Sequence, residues 1–243
     1  MLILNADDWG RSPRETDATL FCVKNGAVTS ASAMVFMEDS QRAAELAIAE
    51  GIVLGLHLNF TERFTDPSIP PEVMMAQQRI ARYLKISKYA SLIYNPALNS
   101  DFRLVYEAQV QEFNRLYGSP FRKIDGHQHM HLCTNMLVQQ LLPKGVKVRR
   151  NFSFSPGEKI WVNRLYRKVI DGFLKKNFGI CDYFFCFGQC LTPEKLIRIV
   201  DLGKIASVEL MTHPIRPRES QFMQSSTWLD ATRNVEIGSY EQL

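Results

Sequence analysis

Short apolar segments alternate with longer helical patterns along the whole chain, and this alternation is the feature that most limits its fold. Such alternation is typical of repeated β-α units that build a mainly parallel sheet. The predicted strands are 1–6, 28–36, 52–60, 121–126, 146–149, 182–187 and 207–211, and the predicted helices are 16–25, 40–51, parts of 71–98, 101–117, 136–142, 157–178 and 193–202. At 243 residues, the chain matches an α/β barrel that forms one domain over residues 1–243.

Composition excludes several other classes of protein. The hydrophobic fraction of 46% and the charged fraction of 22% are ordinary for a globular chain, and a net charge of +4 is too small and dispersed to indicate nucleic-acid binding. No apolar run is long enough to cross a bilayer, and the N-terminus MLILNADDWG lacks the pattern of a secretory signal. Five cysteines without a C-x-x-C pair suit reduced thiols. We therefore expect a cytoplasmic protein without a transmembrane segment.

The histidines occupy unusual places in this pattern. All five lie at the C-terminal ends of predicted strands, and the pair Asp7 and Asp8 follows the first strand. The motifs are GLHLN, DGHQHMH and MTHP, which contain His57, His127, His129, His131 and His213. In α/β folds the active site is built at that end of the strands. An adjacent pair of aspartates is more often a solvated turn, but the company of the histidines favours a functional site.

Asp8, His57 and His127 are the predicted metal ligands. A catalytic ion wants about three protein ligands and an open position, and these residues come from three separate strand ends. Two histidines favour zinc or another transition ion, whereas magnesium prefers oxygen ligands. His57 alone would more often be a satisfied core histidine. The sequence therefore predicts one divalent ion, with zinc, magnesium and other transition metals as candidates.

A hydrolase with such an ion also needs a base for the attacking water and an acid for the leaving amine. Asp7 is the candidate base and His213 the candidate acid. Asp7 could instead orient a histidine, and His213 could be a further metal ligand.

The remaining candidates concern the substrate. If DGHQHMH stays extended, its period of two points His127, His129 and His131 to one side, so that His129 and His131 serve as supports or substrate contacts. Trp9 could offer an aromatic face to a sugar, and Arg149 could line the mouth. The apolar and basic segment 160–178 could form a lid or touch a membrane, although an ordinary amphipathic helix is the simpler interpretation.

Five motifs in order carry a family resemblance: NADDWG, TSASAMV, GLHLN, IDGHQHMH and ELMTHP. Together they resemble the YdjC-like carbohydrate deacetylases, a group that includes chitooligosaccharide deacetylases and hopanoid-biosynthesis deacetylases. The resemblance implies an irregular (β/α) TIM-like barrel, a divalent ion and removal of an acetyl group from an N-acetylglucosamine-type sugar, either an oligosaccharide or a glycolipid. It also implies a homodimer as a possible assembly.

The resemblance carries over specific roles. Asp8, His57 and His127 correspond to metal ligands, Asp7 to the base and His213 to the second catalytic group. The chain departs from the family at three places. One of them is that it stops at 241–243, where relatives typically continue into a last segment, so that barrel closure stays an open question at this point. Glu15 and Thr16 stand where an asparagine is expected, and Ile215 and Arg216 follow MTHP in place of a glycine, so contacts near these positions should differ.

Two rivals remain open at this point. Aspartate and histidine ligands also serve barrel phosphoesterases, although those favour two metals and phosphate-binding glycine loops. A protein that binds a metal or a sugar without turnover would need neither Asp7 nor His213.

Overall fold

A computed structural model describes residues 1–154, 158 and 160–243. Seven of its strands overlap the predicted ones: β2 to β6 are shorter than predicted, β7 has the predicted length, and β1 runs three residues further, to Trp9. An eighth strand near the C-terminus was not predicted. The strands are β1 (Leu2–Trp9), β2 (Ser30–Ala33), β3 (Leu54–Leu58), β4 (Lys123–Gly126), β5 (Lys147–Val148), β6 (Tyr183–Cys186), β7 (Val208–Thr212) and β8 (Ile237–Gly238).

Helices separate the strands as the alternation predicted. They are α1 (Pro13–Lys24), α2 (Ser40–Glu50), α3 (Pro71–Lys85), α4 (Asn99–Tyr117), α5 (Thr134–Val138), α6 (Trp161–Asn177), α7 (Pro193–Ile205), α8 (Pro217–Met223) and α9 (Ser226–Thr232). α1 begins three residues before the predicted start because proline suits the first turn of a helix. The predicted start of α6 at Gly157 lies outside the described residues.

The helical stretch predicted within 71–98 is interrupted. α3 ends at Lys85, and two short 3₁₀ turns at Ala90–Leu92 and Pro96–Leu98 lead into α4. Gly51 ends α2 with a left-handed φ of 62°, which glycine adopts without steric cost.

The strands form a parallel sheet in the order β5-β4-β3-β2-β1-β7-β6, with β8 beside β1. The two edges approach each other without a regular ladder. An isolated bridge joins Lys147 to Gly179, and the backbone N–H of Val148 donates to the Gly179 carbonyl at 2.8 Å. The sheet therefore curves into a barrel that is incomplete between β5 and β6, and the predicted irregular (β/α) barrel is confirmed.

β1 lies in the interior of the sheet, between β2 and β7, and is buried along its whole length. Helices cover the outer face of a parallel sheet, so a central strand meets protein on both sides. Its carboxyl end, with Asp7 and Asp8, lies between the ends of β2 and β7. Among the described residues, no helix is both long enough and apolar enough to span a bilayer.

Candidate active site

Three predicted ligand atoms converge at the carboxyl ends of the strands. His127 Nδ1 lies 3.0 Å and His57 Nε2 lies 3.4 Å from Oδ1 of Asp8. Donor atoms of these three residues all lie within 4.8 Å of one another. Asp8 adopts a left-handed φ of 65°, which aspartate tolerates better than most residues and which turns its side chain away from that of Asp7. The structure thus brings together the residues predicted as ligands.

A second carboxylate fixes the outer nitrogen of each imidazole. Asp125 Oδ1 lies 2.7 Å from His57 Nδ1, and Glu62 Oε2 lies 3.2 Å from His127 Nε2. When these outer nitrogens carry the protons, the inner nitrogens turn lone pairs toward the Asp8 carboxylate. Three acceptors that face one another in a buried site require positive charge between them. The residues present therefore fit a divalent cation.

The pKa shifts of the ligand residues also favour a bound cation. Burial alone would lower the pKa of His57, but the carboxylates of Asp125 and Asp7 raise it to about 10. Burial would likewise raise the pKa of Asp8, yet its hydrogen bonds to His127 and His57 hold that pKa far below the usual range. The site attracts protons or cations and keeps Asp8 ionised.

Asp7 faces a different partner. Its two carboxylate oxygens accept hydrogen bonds from Arg149 Nη1 at 2.7 Å and Nη2 at 2.6 Å. Burial opposes ionisation of Asp7, but the charge of Arg149 holds the pKa of that carboxyl below its usual range. Asp7 is therefore an oriented anion at the edge of the candidate metal site.

Arg149 does not line the mouth as predicted. Its side chain is fully buried and reaches three carboxylates, those of Asp7, Asp125 and Glu209, at 2.6, 2.9 and 2.7 Å from Nη2. A guanidinium that is fully engaged beneath the site cannot also contact a sugar. The prediction of a substrate contact is wrong because Arg149, directly after β5, points inward to these carboxylates.

Asp7, His57 and Asp125 also bring donor atoms within 4.8 Å of one another. Protein cations already neutralise this second group. Arg149 contacts both carboxylates, and Lys123 Nζ forms an ion pair with Asp125 while it donates to Ser32 Oγ at 2.6 Å. The group of Asp8, His57 and His127 is the better candidate for an added ion.

The segment after β4 does not stay extended. Residues His127–Leu132 form a tight 3₁₀ turn in which Gln128 and His129 have φ values of 53° and 61°. The prediction that three histidines share one side is therefore wrong. His131 is fully buried, and its Nε2–H donates to the Arg149 carbonyl at 2.9 Å, so it supports the fold and does not contact substrate.

His129 takes a third direction. Its ring packs edge-on against Phe152 and Phe184 at centroid distances of 4.6 and 5.6 Å, and one side borders the cleft above the site. Burial and the nearby Arg149 lower the pKa of His129 to about 3, so the ring is neutral. A neutral histidine against aromatic rings suits a wall that contacts a sugar.

His213 reaches the site from the end of β7. Its Nε2 lies 3.8 Å from Asp8 Oδ2, and its buried Nδ1 has no hydrogen-bond partner among the described residues. Glu219 accepts hydrogen bonds from the His213 backbone N–H at 2.9 Å and from Thr212 Oγ1 at 2.8 Å. Burial lowers the pKa of His213 although Asp7 and Asp8 oppose this. The ring is held beside the candidate metal site in its neutral form.

Trp9 is fully buried among the core side chains, so the prediction that it offers a face to a sugar is wrong. The site opens into a cleft of about 390 Å³. A larger cavity of about 490 Å³ lies elsewhere, against residues 51–55 and 119–123, which precede or begin β3 and β4. The smaller cleft is the better candidate for the active site because it contains the carboxylates and imidazoles described above. Its lining includes Asp7, Asp8, Arg11, His57, His127, His129, His213 and Arg216.

Sequence reasoning missed the groups that hold the ligands in place. Asp125 and Lys123 alternate along β4 and therefore project into the same interior, where two charges on a buried strand were a usable signal. Glu62 lies in the loop after β3, and it meets His127 across 65 residues of sequence. No local pattern reports such a distant contact.

Fold and site together define an α/β-barrel protein with an aspartate and two histidines gathered at the carboxyl ends of its strands. Residues 1–240 match the family described as YdjC-like protein. The chain belongs to this family, as the five motifs predicted.

Curated relatives cover most of the chain. It is 28% identical over 222 residues to a chitooligosaccharide deacetylase of Proteus mirabilis (strain HI4320), which covers 88% of this chain and 81% of the relative. It is 31% identical over 246 residues to a carbohydrate deacetylase of Mus musculus, and this match covers 89% of this chain and 78% of the relative. Among solved structures, a proposed cellobiose-phosphate cleavage protein from Enterococcus faecalis V583 superposes with a TM-score of 0.70, 19% identity and coverage of 99% and 97%. That likeness shows the fold.

Proposed function

We propose that this protein is a metal-dependent hydrolase that removes an acetyl group from an N-acetylated sugar. The observation that carries the proposal is the convergence of Asp8, His57 and His127 beside an ionised Asp7 that Arg149 orients. The relatives named as chitooligosaccharide and carbohydrate deacetylases support this reaction and substrate class.

Asp8 Oδ1, His57 Nε2 and His127 Nδ1 would hold the ion. Two imidazoles and one carboxylate favour zinc or another transition metal over magnesium. A divalent ion at this position would supply Lewis-acid polarisation of the acetyl carbonyl and would acidify water. Asp125 and Glu62 keep the lone pairs of the two rings directed inward.

Asp7 is the proposed base. Arg149 keeps its carboxylate ionised and fixed in direction, so that it can accept a proton from the attacking water. His213, neutral at rest, lies near Asp8 on the β7 side. It would receive the water proton from protonated Asp7, which returns to its ionised form, and would deliver that proton to the leaving nitrogen. His129 and Phe152 form the proposed sugar-binding wall.

The substrate would be an oligosaccharide or a glycolipid that contains N-acetylglucosamine. Arg216 and Ile215, which replace the glycine expected after MTHP, line the cleft and would contact the sugar. A cytoplasmic location and a homodimer complete the proposal, and the five free thiols agree with the location.

The decisive experiment measures acetate release from N-acetylglucosamine oligomers by metal-stripped protein, with zinc, cobalt, manganese or magnesium added back. Asp8→Asn should abolish metal-dependent release, and it suits the left-handed backbone at this position. Asp7→Asn should abolish release while metal still binds. Asp230→Asn, at an exposed ion pair on α9, is the matched control.

The outcomes separate the rivals. Release that follows the added metal and disappears in both site variants supports the deacetylase. One tightly bound ion without acetate release from any N-acetylated sugar would leave a binding protein, and phosphate release from sugar phosphates would indicate a phosphoesterase.

A further inference from the structure

The helix α6 carries an apolar surface on its outer side. Trp161 is 73% exposed, and Leu165 and Val169 follow it at helical spacing with exposed fractions of 53% and 62%. Further exposed apolar side chains border this line: Ile160, Val162 and Phe173. We call these six residues the outer face of α6. Side chains of this size are seldom left in water together without a binding partner.

The opposite side of α6 is held against the barrel by several contacts. These contacts fix which side of the helix faces outward. Leu174 is fully buried. Asp171 pairs with Arg150 Nη2 at 2.6 Å and accepts the Asn151 backbone N–H at 3.1 Å. The guanidinium of Arg167 lies over the Phe154 ring at 5.0 Å. These contacts tie the inner side of α6 to the segment that leaves β5.

The charge of the exposed part of this helix has one sign. Arg164, Lys168, Lys175 and Lys176 are exposed, whereas Asp171, the only acidic residue in α6, belongs to the anchored side. Basic side chains that border an apolar stripe can extend to phosphate groups while the stripe enters the acyl region. An anionic lipid surface offers negative headgroups for the basic side chains and an apolar layer for the stripe.

A second copy of the chain fits less well. Two outer faces brought together by a twofold axis would place four exposed cations of one helix near four of the other, and like charges disfavour that contact. Because lipid headgroups offer negative charge and an apolar layer at once, the observations favour the membrane.

The inner side of α6 is connected through aromatic rings to the wall of the cleft. Phe154, which Arg167 covers, lies 6.4 Å from Phe152, and Phe152 packs against His129 at the cleft wall. We infer that the outer face of α6 docks the protein onto an anionic membrane surface, with the cleft next to the contact. This inference concerns binding alone and does not require the proposed deacetylation.

Tryptophan fluorescence gives a direct test. The chain has three tryptophans, and Trp9 and Trp228 are buried at 0% and 3% exposure, so a blue shift on vesicle binding reports Trp161. The full-length protein is titrated with phosphatidylcholine vesicles that contain or lack phosphatidylglycerol, and co-sedimentation is measured in parallel. We expect a blue shift and co-sedimentation with the anionic vesicles, both weakened by added salt.

The variant Leu165→Asp/Val169→Asp should lower the partition coefficient by about tenfold or more, because it places charge in the apolar stripe. Ile48→Asp/Ile197→Asp is the matched control, since these isoleucines are 63% and 62% exposed on α2 and α7. Circular dichroism verifies that both variants fold. Trp161→Phe should abolish the blue shift and retain co-sedimentation.

Three results would overturn the inference. The wild-type protein could fail to bind anionic vesicles, or the α6 variant could bind as well as its control. Light scattering could also show a dimer that the α6 variant dissociates while no protein binds vesicles, which would assign the outer face to a second copy. Acetate release from soluble oligomers is unaffected by any of these outcomes, so failure here is distinct from failure of the proposed function.

Discussion

The Arg149 guanidinium donates two hydrogen bonds to the Asp7 carboxylate, at 2.6 and 2.7 Å, from a fully buried position. The same guanidinium contacts Asp125 and Glu209. One cation thus compensates carboxylates that come from three different strands. This relationship makes Arg149 important for the stability of the barrel as well as for the geometry of the site.

Removal of the charge should destabilise the fold. Arg149→Met leaves buried carboxylates uncompensated, and we expect the free energy of unfolding to fall by about 3–5 kcal/mol. Urea denaturation followed by circular dichroism measures this change. Arg233→Met removes an exposed guanidinium on the C-terminal side of α9 and should leave the midpoint unchanged. Equal midpoints for the two variants would show that the buried network contributes little.

Arg149→Lys separates orientation from charge. Lysine keeps the cation but cannot form the paired hydrogen bonds that fix both oxygens of Asp7. If Asp7 is the base, kcat for acetate release should fall by about 100-fold because the carboxylate loses its direction. KM should change little, since Arg149 lies below the cleft. A variant with normal kcat would exclude Asp7 from proton transfer.

The sequence predicted the parts of this arrangement that depend on local patterns. It did not predict the contacts between residues that are far apart along the chain. The ends of β1, β3 and β4 were predictable because buried parallel strands are short apolar runs, and the order of motifs along the chain placed Asp8, His57 and His127 at one rim. Arg149 was misplaced because a basic residue at a strand end usually faces solvent. Its carboxylate partner Asp7 lies 142 residues away.

The conformation of the segment DGHQHMH could not be predicted from its local pattern either. A period of two predicts a strand for DGHQHMH, but positive φ values at Gln128 and His129 turn the chain immediately after His127. Glutamine has no preference for that region, and histidine, although enriched there among non-glycine residues, adopts it only occasionally, so the turn depends on tertiary contacts. The hydrogen bond from buried His131 to the Arg149 carbonyl is one of them.

Metal binding should stabilise the protein independently of activity. A ligand at 100 times its Kd adds about 2.7 kcal/mol to the free energy of unfolding. For a domain of this size that corresponds to a rise in Tm of roughly 5–10 °C. We expect this rise when zinc is added to the stripped wild-type protein and not when it is added to Asp8→Asn. An equal rise in both proteins would place the ion elsewhere.

Asp125 should control the affinity for that ion. Asp125→Asn weakens the acceptor for His57 Nδ1–H and allows the other tautomer, which would turn a proton toward Asp8. The Kd for zinc should rise by about 10- to 100-fold, as measured by titration against a competing chelator. Asp230→Asn serves as the control on an exposed aspartate. An unchanged Kd would mean that His57 is positioned by packing alone.

Gly126 lies between Asp125 and His127, and its backbone is extended, with φ −160° and ψ 145°. Any residue can adopt these angles, so the requirement for glycine must come from space. A Cβ at this position would lie 2.9 Å from the His131 backbone nitrogen and 3.1 Å from the His131 Cβ.

Gly126→Ala should therefore push the turn at 127–132 outward and move His127 away from Asp8. We expect weaker zinc binding together with a loss of about 1–3 kcal/mol in the free energy of unfolding. Gly172→Ala on α6 is the control, because in the described part of the chain its added Cβ meets no atom within 4 Å beyond its neighbours and its own helix backbone, and it should leave zinc binding unchanged. If Gly126→Ala bound zinc normally, the close approach of His131 to β4 would not be what positions His127.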